Sequence, residues 1–452
     1  METPNKAQEE FINSKNSNVL VSASAGSGKT YSMIKKLLDL LCSQKTPISS
    51  LLVLTFTEAA ASEIKQRLYN EISSMISLCN GDDRKFLQKQ LDNINNAEIG
   101  TLHSVCKKLI VKYFYELDIS PDFSVMSEKE SKYLLDSVIN DVFEERILNN
   151  DEEFFQLYDC YNSKRNDTTI KSIIIQLINY INNKNNYQSW LNQTIEKSFN
   201  LDLNNNSVCK YLLDISKQKI SKFKTVINDL ITMAKNEAYD KYIEFLYNRF
   251  QFIDEICCVN KFTEFIKVIN NPLLKKPSVS KKMSASELEF DEIVSGVNKQ
   301  LSDTLKHIRA DLIFDSEAEI CKNFELCKIN VDKIIELVQT IKERYNFLKH
   351  KKNYLDFNDL EDKMIELLNS TEIVNTLKTT YKYIFFDEYQ DINEKQEKIL
   401  LSIVSGDNYY MIGDVKQSIY AFRQSSPKIF IDKFNKFKED NIANKVINFN
   451  KN

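Results

Sequence analysis

Consecutive apolar residues come in short runs near the start of the chain, and each run is followed by residues with helical spacing. Val19-Leu20-Val21-Ser22-Ala23 predicts a buried strand, then a Gly/Ser turn and a helix from about Lys29. Leu51 to Thr57 predicts a second strand, with a helix from Ala59 that carries Glu63, Lys65 and Arg67 among its polar positions. Ile99-Gly100-Thr101 ends a third strand before a helix through Cys106 and Leu109. Continuous apolar runs, as opposed to alternating ones, fit strands covered on both faces, which is the β-α-β rhythm of a parallel sheet.

From about Glu116 the rhythm changes. A short strand is expected at Phe123-Ser124-Val125-Met126, and otherwise the next two hundred-odd residues predict amphipathic helices. Leu134, Val138, Val142 and Phe143 make one apolar stripe, and Ile334, Ile335, Val338 and Ile341 another. Asn270 to Glu289, with its prolines, serines and two Lys-Lys pairs, predicts a loop or disordered link. Strands return at Tyr383–Phe386, Tyr409–Ile412 and Val446–Phe449. The expected organisation is one α/β domain in two parts, residues 1–115 and 351–452, split by a large all-helical insertion over 116–350.

Composition narrows the classes. With 452 residues, 42% of them hydrophobic and 27% charged, the chain has the balance of an ordinary globular protein with room for more than one core. Only 7 glycines and 6 prolines argue against a turn-rich β fold. The net charge of −4 means that any nucleic-acid contact must come from a local groove, not a global field. The 9 cysteines are scattered without a CxxC pair, which fits reduced buried thiols in a cytoplasmic protein. The N-terminus has no apolar signal region, and the longest greasy run, Ser172 to Ile181, is too short to span a bilayer; no membrane partner is expected.

Two segments carry chemistry. Ala23-Ser24-Ala25-Gly26-Ser27-Gly28-Lys29-Thr30 follows a strand and opens a helix, the setting of a phosphate-binding P-loop. Gly26 and Gly28 let backbone N–H groups approach phosphate oxygens, and the helix N-terminus favours negative charge. Lys29 is expected to reach the β- and γ-phosphates of ATP, and Thr30 to offer its hydroxyl to Mg²⁺. Ala23 stands where the general pattern has its first glycine. Phe385-Phe386-Asp387-Glu388 ends an apolar strand in two carboxylates. Asp387 is assigned to the Mg²⁺ shell and Glu388 to polarising the attacking water as general base.

Asp387-Glu388-Tyr389-Gln390-Asp391 and Gly413-Asp414-Val415-Lys416-Gln417-Ser418-Ile419-Tyr420 resemble the second and third motifs of UvrD/Rep helicases of superfamily 1. Thr55-Phe56-Thr57-Glu58-Ala59-Ala60-Ala61, Thr101-Leu102-His103-Ser104 and Thr3-Pro4 with Gln8 resemble three further motifs of that family, in the family's order. Thr101 to Cys106 and Asp118 to Phe123 are similar to the AddA (RexA) branch of helicase–nuclease subunits. The resemblance implies a P-loop NTPase of RecA-like fold interrupted by the helical insertion, with Gln8 reading adenine and Gln417 coupling nucleotide state to DNA grip. It implies Arg423 on the nucleotide side, and DNA contacts from Phe56, Thr57, His103 and Phe422, the last by base stacking. Leu355 to Glu361 resembles another family segment, although Asp356 as a helix N-cap accounts for it equally.

The implied activity is ATP-dependent translocation on single-stranded DNA in double-strand break repair, on tailed duplexes and with an AddB-type partner. The chain stops at Asn452 in a strand resembling the lead-in to the family's next motif, so a truncated motor half is expected, with slow hydrolysis and no unwinding on its own. A plain UvrD/Rep/PcrA-type helicase is the alternative within the class. A non-catalytic, ATP-responsive single-strand-binding module is the alternative outside it.

Overall fold

The computed structural model describes residues 4–24, 26–161, 168–278, 284–312, 317–414, 416, 427–439 and 444–449. Its strands are β1 (Asn18–Ala23), β2 (Leu51–Thr55), β3 (Glu98–Thr101), β4 (Ser124–Val125), β5 (Tyr354–Leu355), β6 (Tyr383–Asp387), β7 (Tyr409–Gly413) and β8 (Asn444–Phe449). Six of them form one sheet in the order β3-β2-β6-β7-β1-β8, and every neighbouring pair is parallel. β4 and β5 pair separately. The chain is mostly helical around this sheet, an α/β architecture.

Side-chain alternation along the strands divides the sheet between two cores. Leu20, Leu52, Leu54, Ile384, Phe386, Tyr409 and Met411 face one core. Val19, Val21, Leu51, Val53, Phe385, Tyr410 and Ile412 face the other. Burial on both faces explains why these strands read as unbroken apolar runs. Because all six strands are parallel, their carboxyl ends lie along one edge of the sheet, where the chain leaves into loops and helix starts.

The chain divides into two compact units, Met1–Tyr187 with Leu337–Asn452, and Gln188–Glu336. The second is helical. Its helices Ser207–Asn236 and Asp240–Cys258 are joined by a tight turn in which Ala238 takes φ 58°. There the Tyr239 N–H donates to Ala234 O and the Ala238 N–H to Lys235 O, the Schellman pattern with alanine where glycine is usual. Among its buried polar groups, Asp291 accepts from the Tyr242 hydroxyl at 2.6 Å and from Lys276 at 2.7 Å.

Several element boundaries differ from the sequence reading, each for a local reason. The Asn270–Glu289 link gives way to helix at Ala285, because Ser284 caps it by accepting from the Glu287 N–H. β2 stops at Thr55, not Thr57, because Thr57 accepts from the Ala60 N–H and begins the helix Glu58–Leu78. Phe123–Met126 contracts to two paired residues. Among the described residues no helix is long and apolar enough to cross a membrane.

Candidate active site

The loop after β1 enters helix α2 (Lys29–Cys42) through two left-handed glycines, Gly26 at φ 75° and Gly28 at φ 81°. A side chain at Gly28 would be strained there, and its Cβ would lie 2.6 Å from Gln8 Nε2. Gln8 is buried on a short helix α1 (Lys6–Asn13) and donates from Nε2 to Ser27 O at 3.0 Å. Its Oε1 accepts from the Asn5 N–H at 2.9 Å, one half of a capping box. One Nε2 hydrogen and one Oε1 lone pair remain, the donor and acceptor that the adenine edge requires.

At the end of β6 the chain turns sharply. Glu388 takes φ 55°, an uncommon conformation for a side-chain-bearing residue and one found where structure over-determines the backbone. The next residue anchors the turn: Tyr389 is fully buried and donates its hydroxyl to Glu397 at 2.8 Å. This geometry turns the Glu388 carboxylate toward the loop after β1, where both its oxygens accept from Lys29 Nζ at 3.0 Å. Residues 359 apart in sequence thus meet head to head.

Asp387 is buried beside this pair, and its Oδ1 accepts from the Glu388 N–H at 3.1 Å. Burial pushes its carboxyl up to about 6, with the Glu388 charge adding to the rise and Lys29 opposing it. Two carboxylates against one ammonium leave a net negative corner that suits a divalent cation. Ser27 Oγ, within the glycine loop between Gly26 and Gly28, is buried with no hydrogen-bond partner among the described residues. Glycine cradle, orphaned hydroxyl and acidic corner together fit a nucleotide triphosphate with its metal. Thr30 lies in the first turn of α2, half-buried, and Ala23 and Ser24 form the strand exit, where the Ser24 N–H donates to Phe449 O at 3.4 Å.

Gln390 escaped the sequence reading as a site residue, although it sits within the quoted motif. It is buried, donates from Nε2 to Glu388 Oε2 at 2.8 Å, and accepts at Oε1 from the Asp414 N–H at 2.8 Å. It therefore ties the end of β6 to the end of β7. Gly413 makes room for it, since a Cβ there would lie 2.5 Å from Gln390 Oε1.

Of the expected DNA-contacting residues, Phe56 is half-buried and Thr57 exposed at the end of β2. The Thr57 hydroxyl caps the helix Glu58–Leu78, accepting from the Ala60 N–H at 3.1 Å. His103 lies in the first turn of the helix Leu102–Lys112, after β3. Its Nε2 is 3.1 Å from Glu361 Oε1, and its ring packs on Phe357 at 4.9 Å. Glu361 is buried and also accepts from Gln396 at 2.7 Å and from Asn393 at 3.4 Å. Asp356 caps the helix Phe357–Leu367, with Asp359 completing the capping box. Ala25, Gln417, Phe422 and Arg423 lie outside the described residues.

Known proteins match this chain along nearly its whole length. The model of the UvrD/REP helicase N-terminal domain matches residues 4–256 and 263–438. A Clostridium kluyveri protein, described as the A subunit of an ATP-dependent helicase/nuclease, is 31% identical over 96% of this chain and 36% of its own length. Proteins of the same description from Alkaliphilus oremlandii and Oenococcus oeni are 30% and 31% identical, over 99% and 94% of this chain. The chain spans 38% and 36% of those two relatives.

Proposed function

The chain belongs to the UvrD/REP helicase N-terminal domain family, and on that premise we propose that it is the ATP-driven motor half of an AddA-type helicase–nuclease. In this reading the six-stranded sheet is a RecA-like P-loop domain, and residues 116–350 are a helical insertion within it. The substrates are ATP and single-stranded or tailed duplex DNA, the setting is double-strand break repair in the cytoplasm, and the assembly includes an AddB-type partner. The observation that carries it is the Lys29–Glu388 contact, which brings the glycine loop and the acidic strand end onto one spot.

The roles follow from the chemistry of each group. Backbone N–H groups of the loop between Ala25 and Thr30 cradle the phosphates at the start of α2, next to Ser24 at the strand exit. Mg²⁺ would be held by Thr30 and Asp387 and would neutralise phosphate charge. Gln8 binds the adenine edge with its spare donor and acceptor. Lys29, held by Glu388 in this structure, turns to the phosphates, which frees the Glu388 carboxylate to take a proton from the attacking water. Gln390 keeps that carboxylate aimed through its Nε2 contact. Gln417 and Arg423 complete the nucleotide side by resemblance to the family.

Phe56, Thr57 and His103 stand at the exits of β2 and β3, next along the edge from β6. They contact the single strand by ring, hydroxyl and imidazole, with Phe422 stacking on a base. The test is ATP hydrolysis by the full chain with and without single-stranded DNA, beside Glu388→Gln. Loss of a general base predicts a fall of about 10²–10⁴-fold in turnover with Mg·ATP affinity kept. Equal turnover in Glu388→Gln and the parent contradicts the role of Glu388. Absence of DNA stimulation favours the non-motor binding module.

A further inference from the structure

Lys36 is fully buried, yet both of its hydrogen-bond partners are neutral. Its Nζ donates to Ile12 O at 2.8 Å and to Ser14 O at 2.5 Å. These carbonyls belong to the end of α1, whose last turn contains no basic residue of its own. A cation supplied from outside therefore sits at the negative end of the α1 dipole. The ammonium also lies 5.5 Å from the Tyr410 ring centroid. Burial lowers the Lys36 pKa to about 8, with Asp39 opposing and Lys15 assisting the fall. An amine kept inside against that penalty has a positional task.

The task is visible in what α1 carries. A helix of 8 residues has little stability of its own, so its place depends on its anchors. Near its start, Gln8 donates to Ser27 O in the phosphate loop. In its middle, Phe11 packs edge-on against Tyr410 and Phe449, each at 6.0 Å. At its end, Lys36 reaches across from α2, about two helical turns beyond Lys29. The helix that holds phosphate at its N-terminus thus also fixes the helix that bears Gln8.

We propose that Lys36 is a specificity-determining positioning residue, which sets the register of α1 so that the Gln8 amide meets an adenine base while α2 holds the phosphates. The inference rests on the reading of Gln8 and of the phosphate loop given above. Lys36 touches neither base nor phosphate, and it acts only through α1. Its removal must therefore change discrimination between bases more than affinity for the triphosphate.

The experiment measures equilibrium affinities of ATP and GTP, with Mg²⁺, for the full chain, Gln8→Ala, Lys36→Met and Lys36→Gln, each checked for folding by thermal unfolding. The parent should prefer ATP. Gln8→Ala and Lys36→Met should each weaken ATP binding by about 3- to 10-fold, the value of one net hydrogen bond, and leave GTP binding within about twofold. Lys36→Gln keeps two N–H donors and should give an intermediate ratio. If Lys36→Met does not fold, that intermediate ratio decides the matter.

An ATP-to-GTP ratio in the folded Lys36 variants equal to the parent's overturns the inference and leaves the nucleotide site standing. Equal loss of both nucleotides overturns it too, since Lys36 would then serve the fold alone. A parent indifferent to the base overturns the reading of Gln8 and this inference with it. A parent that binds neither nucleotide overturns the phosphate loop itself.

Discussion

Replacing Lys29 by Met separates nucleotide binding from folding. The Lys29–Glu388 pair is partly open to solvent, with side-chain exposures of 13% and 35%. A pair of that exposure contributes about 0–1 kcal/mol to stability, because water screens it. Met keeps the stem of the side chain, and Glu388 keeps Gln390 Nε2 at 2.8 Å as a partner. Unfolding in urea should therefore shift by no more than about 1 kcal/mol. Phosphate binding should suffer far more, because Lys29 would supply a charge-assisted hydrogen bond worth about 1.5–3 kcal/mol, or roughly 10- to 150-fold in affinity. Fluorescence anisotropy with a labelled ATP analogue, beside urea melts of both proteins, reads both quantities. An affinity within twofold of the parent would refute the assignment of Lys29 to phosphate. A loss of affinity that tracks unfolding would refute the separation.

Two further changes test neighbouring groups. Asp387→Asn removes a charge from the corner assigned to the metal, so nucleotide affinity should lose most of its dependence on added Mg²⁺; an unaltered Mg²⁺ titration would reject that assignment. Glu361→Leu leaves His103, Asn393 and Gln396 without their shared acceptor and should destabilise the chain by about 2–4 kcal/mol in urea unfolding, with weaker single-strand binding if His103 is held for DNA. Unchanged stability would show that the cluster is not the anchor it looks to be.

How much of this was legible in the sequence differs by the kind of interaction. The strands at Val19, Leu51, Tyr383 and Tyr409 could be read because a doubly covered parallel sheet needs unbroken apolar runs. The glycine loop could be read because its chemistry is local: Gly26, Gly28 and Lys29 fall within four residues, and the left-handed conformations of the two glycines follow from residue type. What stayed hidden were contacts across sequence. Gln390 reaches Asp414, 24 residues on, Glu361 gathers a histidine 258 residues away, and Lys36 reaches back 22 residues to Ser14. Gln390 and Glu361 fall inside quoted motifs, but residue type and spacing do not say which partner each would reach, and Lys36 has no spacing that sets it apart from a surface lysine. Capping misled the boundaries in a similar way, since Ser284 and Thr57 each begin a helix by a single side-chain bond that composition does not reveal.

In this reading the ends of β1 and β6 form one Mg·ATP site. The most direct test is a crystal structure of the full chain with Mg²⁺ and a non-hydrolysable ATP analogue. The expected result is phosphates at Gly26 to Thr30, Lys29 Nζ moved from Glu388 onto phosphate oxygen, the metal beside Thr30 and Asp387, and the base at Gln8. A nucleotide bound elsewhere, or Lys29 still on Glu388 with the triphosphate in place, would contradict it.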